Sequence, residues 1–337
     1  MRFPVRAALA VLAFCAVPAA LAEEGEGEQR RGVPEGSVVS LVVENDYFVR
    51  SDDNYTNGLR LEVVSAADRV HPWLRELAKF HPLIDLESTD LREGFTLSHA
   101  IYTPDDISLA VPPEDSHPYA GYLGLSGFAS ARSLTTERTL TVEIGLVGPA
   151  AGGEFVQANW HRLIDGEEPA GWDTQLGNEL VFAVSGQRLQ RFEGPRILGL
   201  QTDLISHAGA TLGTLRTSAS AGATLRIGTD LSSDFAPPRI RPALAPSSLF
   251  VPSSGIGGYI FAGFGGYLVG KDVFLDGNTF SDSRSVDKRH LTGDFQAGGV
   301  LRVASYRLSL TYVVRSEQFV GQQASDSFGA ISLSYAF

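Results

Sequence analysis

The chain has 337 residues, 43% of them hydrophobic, with 36 Gly, 17 Pro and 19 Phe. That is enough apolar surface to bury a large core and too much for intrinsic disorder. Acidic residues outnumber basic ones by 39 to 27, giving a net charge of −12, and with no basic block the chain lacks the electrostatic footprint of a nucleic-acid binder.

Residues 1–22 read as a secretory signal peptide: Arg2 and Arg6 give a positive start, Ala7 to Val17 an apolar stretch, and Ala20-Leu21-Ala22 a small-x-small end before Glu23. A membrane anchor needs about 20 apolar residues, and this stretch is shorter. Cys15, the one cysteine, departs with the signal, and the bulky Phe14 before it makes it a poor lipoprotein acceptor. The mature chain is therefore expected to carry neither disulfide nor lipid, and loss of Arg2 and Arg6 takes its charge near −14. Residues 23–36 form a flexible lead, and residues 37–337 a single domain. No later segment is continuously apolar over a membrane-helix length, which leaves a soluble exported β protein or a transmembrane β-barrel, whose short alternating spans escape hydropathy.

Strand-like windows fall at 38–47, 56–66, 93–102, 120–131, 134–147, 174–187, 197–210, 213–229, 254–268, 290–303, 304–316 and 325–337. The last two alternate most strictly. Tyr306, Leu308, Leu310, Tyr312 and Val314 share one face, as do Ile331, Leu333, Tyr335 and Phe337, while Ser305, Arg307, Ser309 and Thr311, and Ala330, Ser332, Ser334 and Ala336, share the other. An apolar outer row over a small or polar inner row is what a lipid-facing strand requires, although a soluble sandwich gives the same period with the apolar row turned inward. Aromatics near strand ends, an aromatic last residue and an even strand count favour an all-β, twelve-stranded antiparallel barrel with both termini on one side. Three segments interrupt the pattern. Residues 68–90 are an amphipathic or irregular insertion, residues 149–172 hold a short loop helix from about Gly153 to Leu163, and residues 231–253 are a Pro/Ser-rich loop partly covering one rim.

Two clusters carry candidate chemistry. Glu44-Asn45-Asp46 ends the first strand and faces Asn54-Tyr55-Thr56-Asn57-Gly58 across a hairpin. By period two, Ser40, Glu44 and Asp46 share a face, and Thr56, Arg60 and Glu62 form a row able to point the same way. Oxygen donors from Asn45, Asp46, Thr56 and backbone carbonyls suit a hard cation such as Ca²⁺; the same Asp, Asn and Gly residues are equally able to make only a turn. In Gln157-Ala158-Asn159-Trp160-His161-Arg162, Gln157 and His161 lie one helical turn apart on one face, and a neutral His suits general-base activation of water. A lone His is more often structural, and His71, His81, His99, His117, His207 and His290 provide the comparison; His161 alone sits in a helix that interrupts the strand array. A G-x-S-x-G elbow, an H-E-x-x-H zinc motif and a phosphate-loop fingerprint are all absent from the sequence.

The blocks VVENDYFVRSDDNYTNGLRL, HAIYTPDDI, HPYAGYL and GLVGPAAGGEFVQANWHRLI with GWDTQLGNE, in that order from Val42 to Glu179, resemble the outer-membrane lipid A deacylases of the LpxR type. The resemblance implies a twelve-stranded outer-membrane barrel of a Gram-negative bacterium that hydrolyses the 3′-linked acyloxyacyl ester of lipid A, within lipopolysaccharide, in a Ca²⁺-dependent reaction and as a monomer. It places the family's Asn-Asp pair on Asn45 and Asp46, its strand-two threonine on Thr56, its catalytic histidine on His161 and its preceding glutamine on Gln157, between the barrel wall and a loop helix. His161 then activates water, Ca²⁺ near Asn45, Asp46 and Thr56 polarises the ester, and Gln157 or a carboxylate orients the imidazole. The chain departs from some relatives in two places: residues 105–118 contain no Lys or Arg, and Asp165 to Gly171 contain no Tyr. Both positions bear on substrate contacts. The alternatives are a non-enzymatic channel or structural barrel, and a serine-dependent outer-membrane phospholipase.

Overall fold

A computed structural model describes residues 36–49, 54–72, 76, 90–235, 249–252 and 255–337. The signal peptide, the N-terminal lead, most of the 68–90 insertion and part of the 231–253 loop therefore lie outside the described residues. Twelve antiparallel strands close on themselves, each hydrogen-bonded to its sequence neighbour and β1 to β12. They are β1 Val38–Asn45, β2 Tyr55–Val64, β3 Asp90–Tyr102, β4 Ala120–Arg132, β5 Thr136–Val147, β6 Glu179–Glu193, β7 Gln201–Gly213, β8 Arg216–Gly228, β9 Ile256–Asp272, β10 Leu291–Val303, β11 Tyr306–Arg315 and β12 Asp326–Ala336. The closing seam runs from Val38↔Ala336 to Asn45↔Gly329, so no strand edge is left open. Ten sequence windows overlie their strands closely, and the seventh, 197–210, runs three to four residues ahead of β7. The sixth is shifted: Trp172–Thr174 forms a 3-10 turn and β6 begins only at Glu179, because the polar, Gly-containing stretch before it is bound into the loops of the barrel mouth.

Alternation settles which row meets lipid. Ile256, Ile260, Phe264 and Leu268 of β9 are exposed, as are Tyr306, Leu308, Leu310 and Tyr312 of β11, whereas Tyr259, Phe261, Arg307 and Ser309 are buried. The apolar row faces out and the lumen is filled by the other row, the inverse of a soluble sandwich.

The interior has two layers. Toward the end opposite the termini, Tyr55, Tyr102, Tyr122, Phe274 and Phe328 form a packed cluster; the Tyr102 and Phe274 rings stack at 4.1 Å and those of Tyr55 and Phe328 meet edge-on at 5.0 Å. Phe274 arrives from a four-residue helical turn, Val273–Asp276, after β9. Toward the end bearing the termini, buried arginines converge on the β8–β9 connection. Arg226 donates to Asp234 Oδ1 at 2.7 Å and to Asp203 Oδ2 at 2.5 Å, Arg307 to Asp234 Oδ2 at 3.1 Å, and Tyr259 OH to both Asp234 oxygens at 3.1 Å. The loop's backbone is held as well: the Asp234 carbonyl accepts from Arg191 at 2.5 Å, the Ser233 carbonyl from Arg132 at 2.9 Å, and the Thr229 and Asp230 carbonyls from Arg302 at 2.9 Å. The described start of the expected rim-covering loop, residues 229–235, thus enters the lumen as a plug. Asp234 is fully buried, which alone would raise its pKa, but the guanidiniums of Arg226, Arg307, Arg302 and Arg132 outweigh burial and hold the carboxyl below the usual carboxylate range.

One helix, α1 (Gly153–Ile164), lies against β3 and β4. It starts after Gly152, which sits in the left-handed region at φ 75°, with Glu154 in the first turn and Arg162 in the last, charges that complement the helix dipole. Contact with the wall depends on two glycines facing each other. A Cβ on Gly121 of β4 would lie 2.9 Å from the Gly153 nitrogen, and a Cβ on Gly153 would lie 2.8 Å from the Gly121 Cα and 2.6 Å from the Trp172 ring. His99 of β3, on the outward row of that strand, adds a bond between its Nε2 and the Ala151 carbonyl at 3.0 Å.

Two outcomes are expected. Asp234→Ala leaves several buried guanidiniums without their shared anion and should destabilise the barrel by roughly 3–5 kcal/mol, read as a lower temperature at which the unheated gel mobility converts to the boiled form. Because the folded-state pKa of Asp234 lies below its unfolded value of about 3.9, its contribution is complete above that pH and is lost as pH falls toward the folded value; the Asp234→Ala penalty should shrink in acid. Gly121→Leu should displace α1 while the barrel persists, so limited trypsin digestion should cut after Arg162 faster than in the wild type with gel mobility unchanged. Equal cleavage rates would show that the glycine contact does not hold the helix.

Candidate functional site

The two sequence clusters occupy neighbouring parts of one wall, at the end of the barrel opposite the termini. Asn45 pairs in register with Asn57 across the β1–β2 hairpin, so Asn45, Asp46, Asn54 and Thr56 do meet there, all buried. Period two holds for Ser40 and Glu44, which share the interior row. It fails for the other two. Asp46 lies beyond the strand in a 3-10 turn, Asp46–Val49, and an irregularity between Tyr55 and Asn57 in the β2–β3 pairing takes Thr56 out of the Arg60/Glu62 row. The irregularity gives the inward place to Tyr55, whose OH donates to Glu44 Oε2 at 3.1 Å. Thr56 Oγ1 instead meets Thr103 Oγ1 at 2.7 Å, just past β3.

Hydrogen bonds shape the hairpin end. The Tyr47 N–H is shared between Asn45 Oδ1 at 2.9 Å and Asp46 Oδ1 at 2.7 Å. Asn54 Nδ2 donates to Asp326 Oδ1 at 3.0 Å, while Asn54 Oδ1 is buried with no hydrogen-bond partner among the described residues. For a cation the candidate donors are oxygen-only: the buried Asp46 carboxylate, the amide oxygens of Asn45 and Asn54, the latter unmatched, and the Thr56 hydroxyl, while the buried carboxylates of Glu44 and Asp326 already accept from Tyr55 and Asn54. Such a set fits Ca²⁺, which accepts neutral oxygens. It does not fit a metal needing several His, Cys or carboxylate ligands, and no group of three such side chains able to hold a metal occurs among the described residues.

On α1, Gln157 is 2% exposed and faces inward, while His161, one turn on, is half-buried. The helix ends at Asp165, in the left-handed region at φ 54°, a conformation Asp tolerates. The reversal carries the Gly166 N–H to the His161 carbonyl at 2.8 Å and the Glu167 carbonyl onto His161 Nδ1, with which the ring hydrogen-bonds. A carbonyl only accepts, so Nδ1 carries the proton and Nε2 keeps its lone pair. The group at Nδ1 is thus a backbone carbonyl, neither Gln157 nor a carboxylate. Gln157 Oε1 accepts from Trp172 Nε1 at 2.7 Å, and Gln157 Nε2 is buried without a partner among the described residues.

The hydrogen bonds of each set stay within its own neighbourhood, and β3 links them: Thr103 touches Thr56, and His99 touches the turn that leads into α1. Sequence reasoning missed the residues that do the linking. HPYAGYL, quoted only as a resemblance block, proves to be the support. His117 stacks on Tyr102 at 5.6 Å with an interplanar angle of 6°, and burial lowers its pKa to about 4, so it is neutral at pH 7. Tyr119 packs on Trp172 at 5.0 Å, and its OH donates to the Ile107 carbonyl at 3.3 Å. Tyr122 OH bonds Glu143 inside the barrel, and Gly121 receives α1. The Lys-free segment 105–118 leads into this block, and its Ile107 carbonyl accepts from the Tyr119 OH and the Ala170 N–H. Asp165 to Gly171, where no Tyr occurs, supplies the Glu167 carbonyl instead.

No curated protein sequence matches this one. Among solved structures, LpxR from Salmonella typhimurium aligns with a TM-score of 0.73 at 20% identity, over 89% of this chain and 100% of that one. The β domain of the Bordetella autotransporter BrkA aligns at 0.46 and 10% identity, over 90% and 100%. The sequence model of outer membrane protein LpxR matches residues 7–337. With a closed twelve-stranded barrel wearing its apolar row outward, the chain is an outer-membrane β-barrel protein and belongs to the LpxR family.

Proposed function

We propose that the protein is a lipid A ester hydrolase, removing the 3′-linked acyloxyacyl chain of lipid A in the outer leaflet, with the α1 end of the barrel facing outside. One observation carries the mechanistic part: the Glu167 carbonyl holds His161 Nδ1, leaving Nε2 as the base on a helix pressed against the lipid-facing wall. The substrate class rests on family membership.

In this reaction His161 Nε2 takes a proton from water, and the resulting hydroxide attacks the ester carbonyl carbon. The acyl C–O bond breaks, the imidazolium gives its proton to the departing sugar oxygen, and the released fatty acid loses its own proton to solvent and leaves as carboxylate. The Glu167 carbonyl orients the ring and stabilises the imidazolium. Asn45, Asp46 and Thr56 would hold Ca²⁺, which supplies Lewis-acid polarisation of the ester carbonyl when bound. Gln157 adds a side-chain amide on the same helix face. Phe155 and Leu163, exposed on α1, and Leu97 and Leu123, exposed on the wall beside it, offer apolar surface to the acyl chains.

A channel is the weaker reading, because the interior is crossed by an aromatic layer and by the arginine-clamped plug. A serine hydrolase is weaker because, among the described residues, no serine hydroxyl hydrogen-bonds to His161, whose bond runs from Nδ1 to the Glu167 carbonyl.

His161→Ala should retain the heat-modifiable gel mobility of the wild type and lose roughly 10²-fold or more of turnover, the range of general-base catalysis. His161→Gln, which keeps shape and hydrogen bonding but takes no proton at neutral pH, should lose as much, and the rising limb of the wild-type pH–rate profile should vanish. The measurement is acyl release from lipid A per folded molecule, with the product identified by mass; near-normal turnover of both variants would eliminate His161 as the base. For the cation, a chelator should abolish wild-type turnover and Ca²⁺ restore it, while Asp46→Ala should stay inactive with Ca²⁺ in excess and remain folded. Full activity of Asp46→Ala after exhaustive chelation would refute the assignment.

A further inference from the structure

Gln157 and Trp172 are the most deeply buried polar pair at α1, at 2% and 3% exposure, and their contact spans the whole loop that follows the helix. The chemistry of the pair fixes its orientation. An indole N–H only donates, so the atom 2.7 Å away must be the Gln157 carbonyl oxygen, and the amide NH₂ is thereby turned elsewhere. That NH₂ is buried with no partner among the described residues, an arrangement costly to maintain unless something else accepts from it. The indole is itself immobilised: its ring fills the space beside Gly153 and leans on Tyr119 at 5.0 Å. Its segment is pinned by the Ala170 N–H to the Ile107 carbonyl at 2.8 Å and the Leu176 N–H to the Tyr119 carbonyl at 2.9 Å.

We propose that Trp172 is a positioning residue of the site: by occupying the Gln157 carbonyl it presents the Gln157 NH₂ as a hydrogen-bond donor to the ester oxygen on which charge builds during attack by the water that His161 activates. This rests on the deacylase reading above. The donor is one turn from His161 on the same helix face, and it comes from a side chain that cannot rotate without breaking the indole bond. Preorganised donors of this kind act on the transition state more than on the bound substrate.

Trp172→Phe keeps a ring against Tyr119 and Gly153 and deletes only the N–H. The expected result is unchanged gel mobility, a roughly tenfold fall in kcat with little change in KM, and no further loss when Trp172→Phe is added to Gln157→Leu, since the two changes remove one function. Wild-type turnover in Trp172→Phe, or a loss that adds in full to that of Gln157→Leu, would overturn the proposal. A purely packing role predicts that additive result together with altered gel mobility. The indole bond is read independently in ¹⁵N-tryptophan-labelled protein in detergent: the Trp172 Nε1 proton should exchange slowly in the wild type and rapidly in Gln157→Leu. Equal exchange in both would overturn the proposal whatever the activity. If the wild type released no acyl chain, the deacylase reading and the role of the pair in it would both fall, whereas slow exchange would still show the bond itself to be real.

Discussion

The structure depends first on closure of the sheet. Inside hydrocarbon every backbone N–H and C=O must find its partner within the protein, and an open strand edge has none. The β1–β12 seam, eight residues long in β1, meets that demand and turns a meander of hairpins into a rigid wall. Everything chemical in the molecule is mounted on this wall. The hairpin end that bears Asn45, Asp46 and Thr56 lies next to the seam, and α1 docks two strands away on β3 and β4. The distance between the clusters is set by strand spacing rather than by the loops that carry them.

A closed wall leaves a lumen to be filled, and the two layers that fill it do so by different physics. The aromatic layer removes apolar ring surface from water in edge-on and stacked contacts. The other layer buries several guanidiniums, which is unfavourable unless each finds an acceptor. Asp234 and the backbone carbonyls of the 229–235 stretch provide the acceptors, so the plug and the arginines stabilise each other, and neither is sensible alone. A barrel built this way has its interior committed to structure, and α1 docks on the outer surface of the wall. The candidate base, the glutamine and the glycine contact all sit on that surface.

The support for α1 shows how a short sequence block can be structural and still govern a site. Four residues of HPYAGYL hold the mouth in place. His117 caps the aromatic layer, Tyr119 backs the indole, Gly121 admits the helix backbone, and Tyr122 anchors to Glu143 in the lumen. None of them belongs to the proposed reacting set. Under the proposed reaction, a change at Tyr119 or Gly121 would act through the placement of α1, a distinction that activity measurements alone do not make.

The sequence by itself determined the all-β class, the number and approximate spacing of the strands and the helix that begins at Gly153, because each is written in a local period of two or 3.6 residues; that the apolar row faces outward was decided only by the closed barrel. It also marked out both candidate clusters, because their residue types are adjacent in the chain. Tertiary structure alone decided the rest. The irregularity that withdraws Thr56 from the Arg60 and Glu62 row is a property of how β2 pairs with β3, and no single-strand pattern encodes it. The Glu167 carbonyl on His161 is a backbone atom, invisible in residue identity, and is placed by the left-handed Asp165. Trp172 reaches Gln157 across 15 positions, and Arg307 reaches Asp234 across 73. Contacts at such separations follow from closure of the barrel and the paths of its loops, and become legible only when the chain is folded.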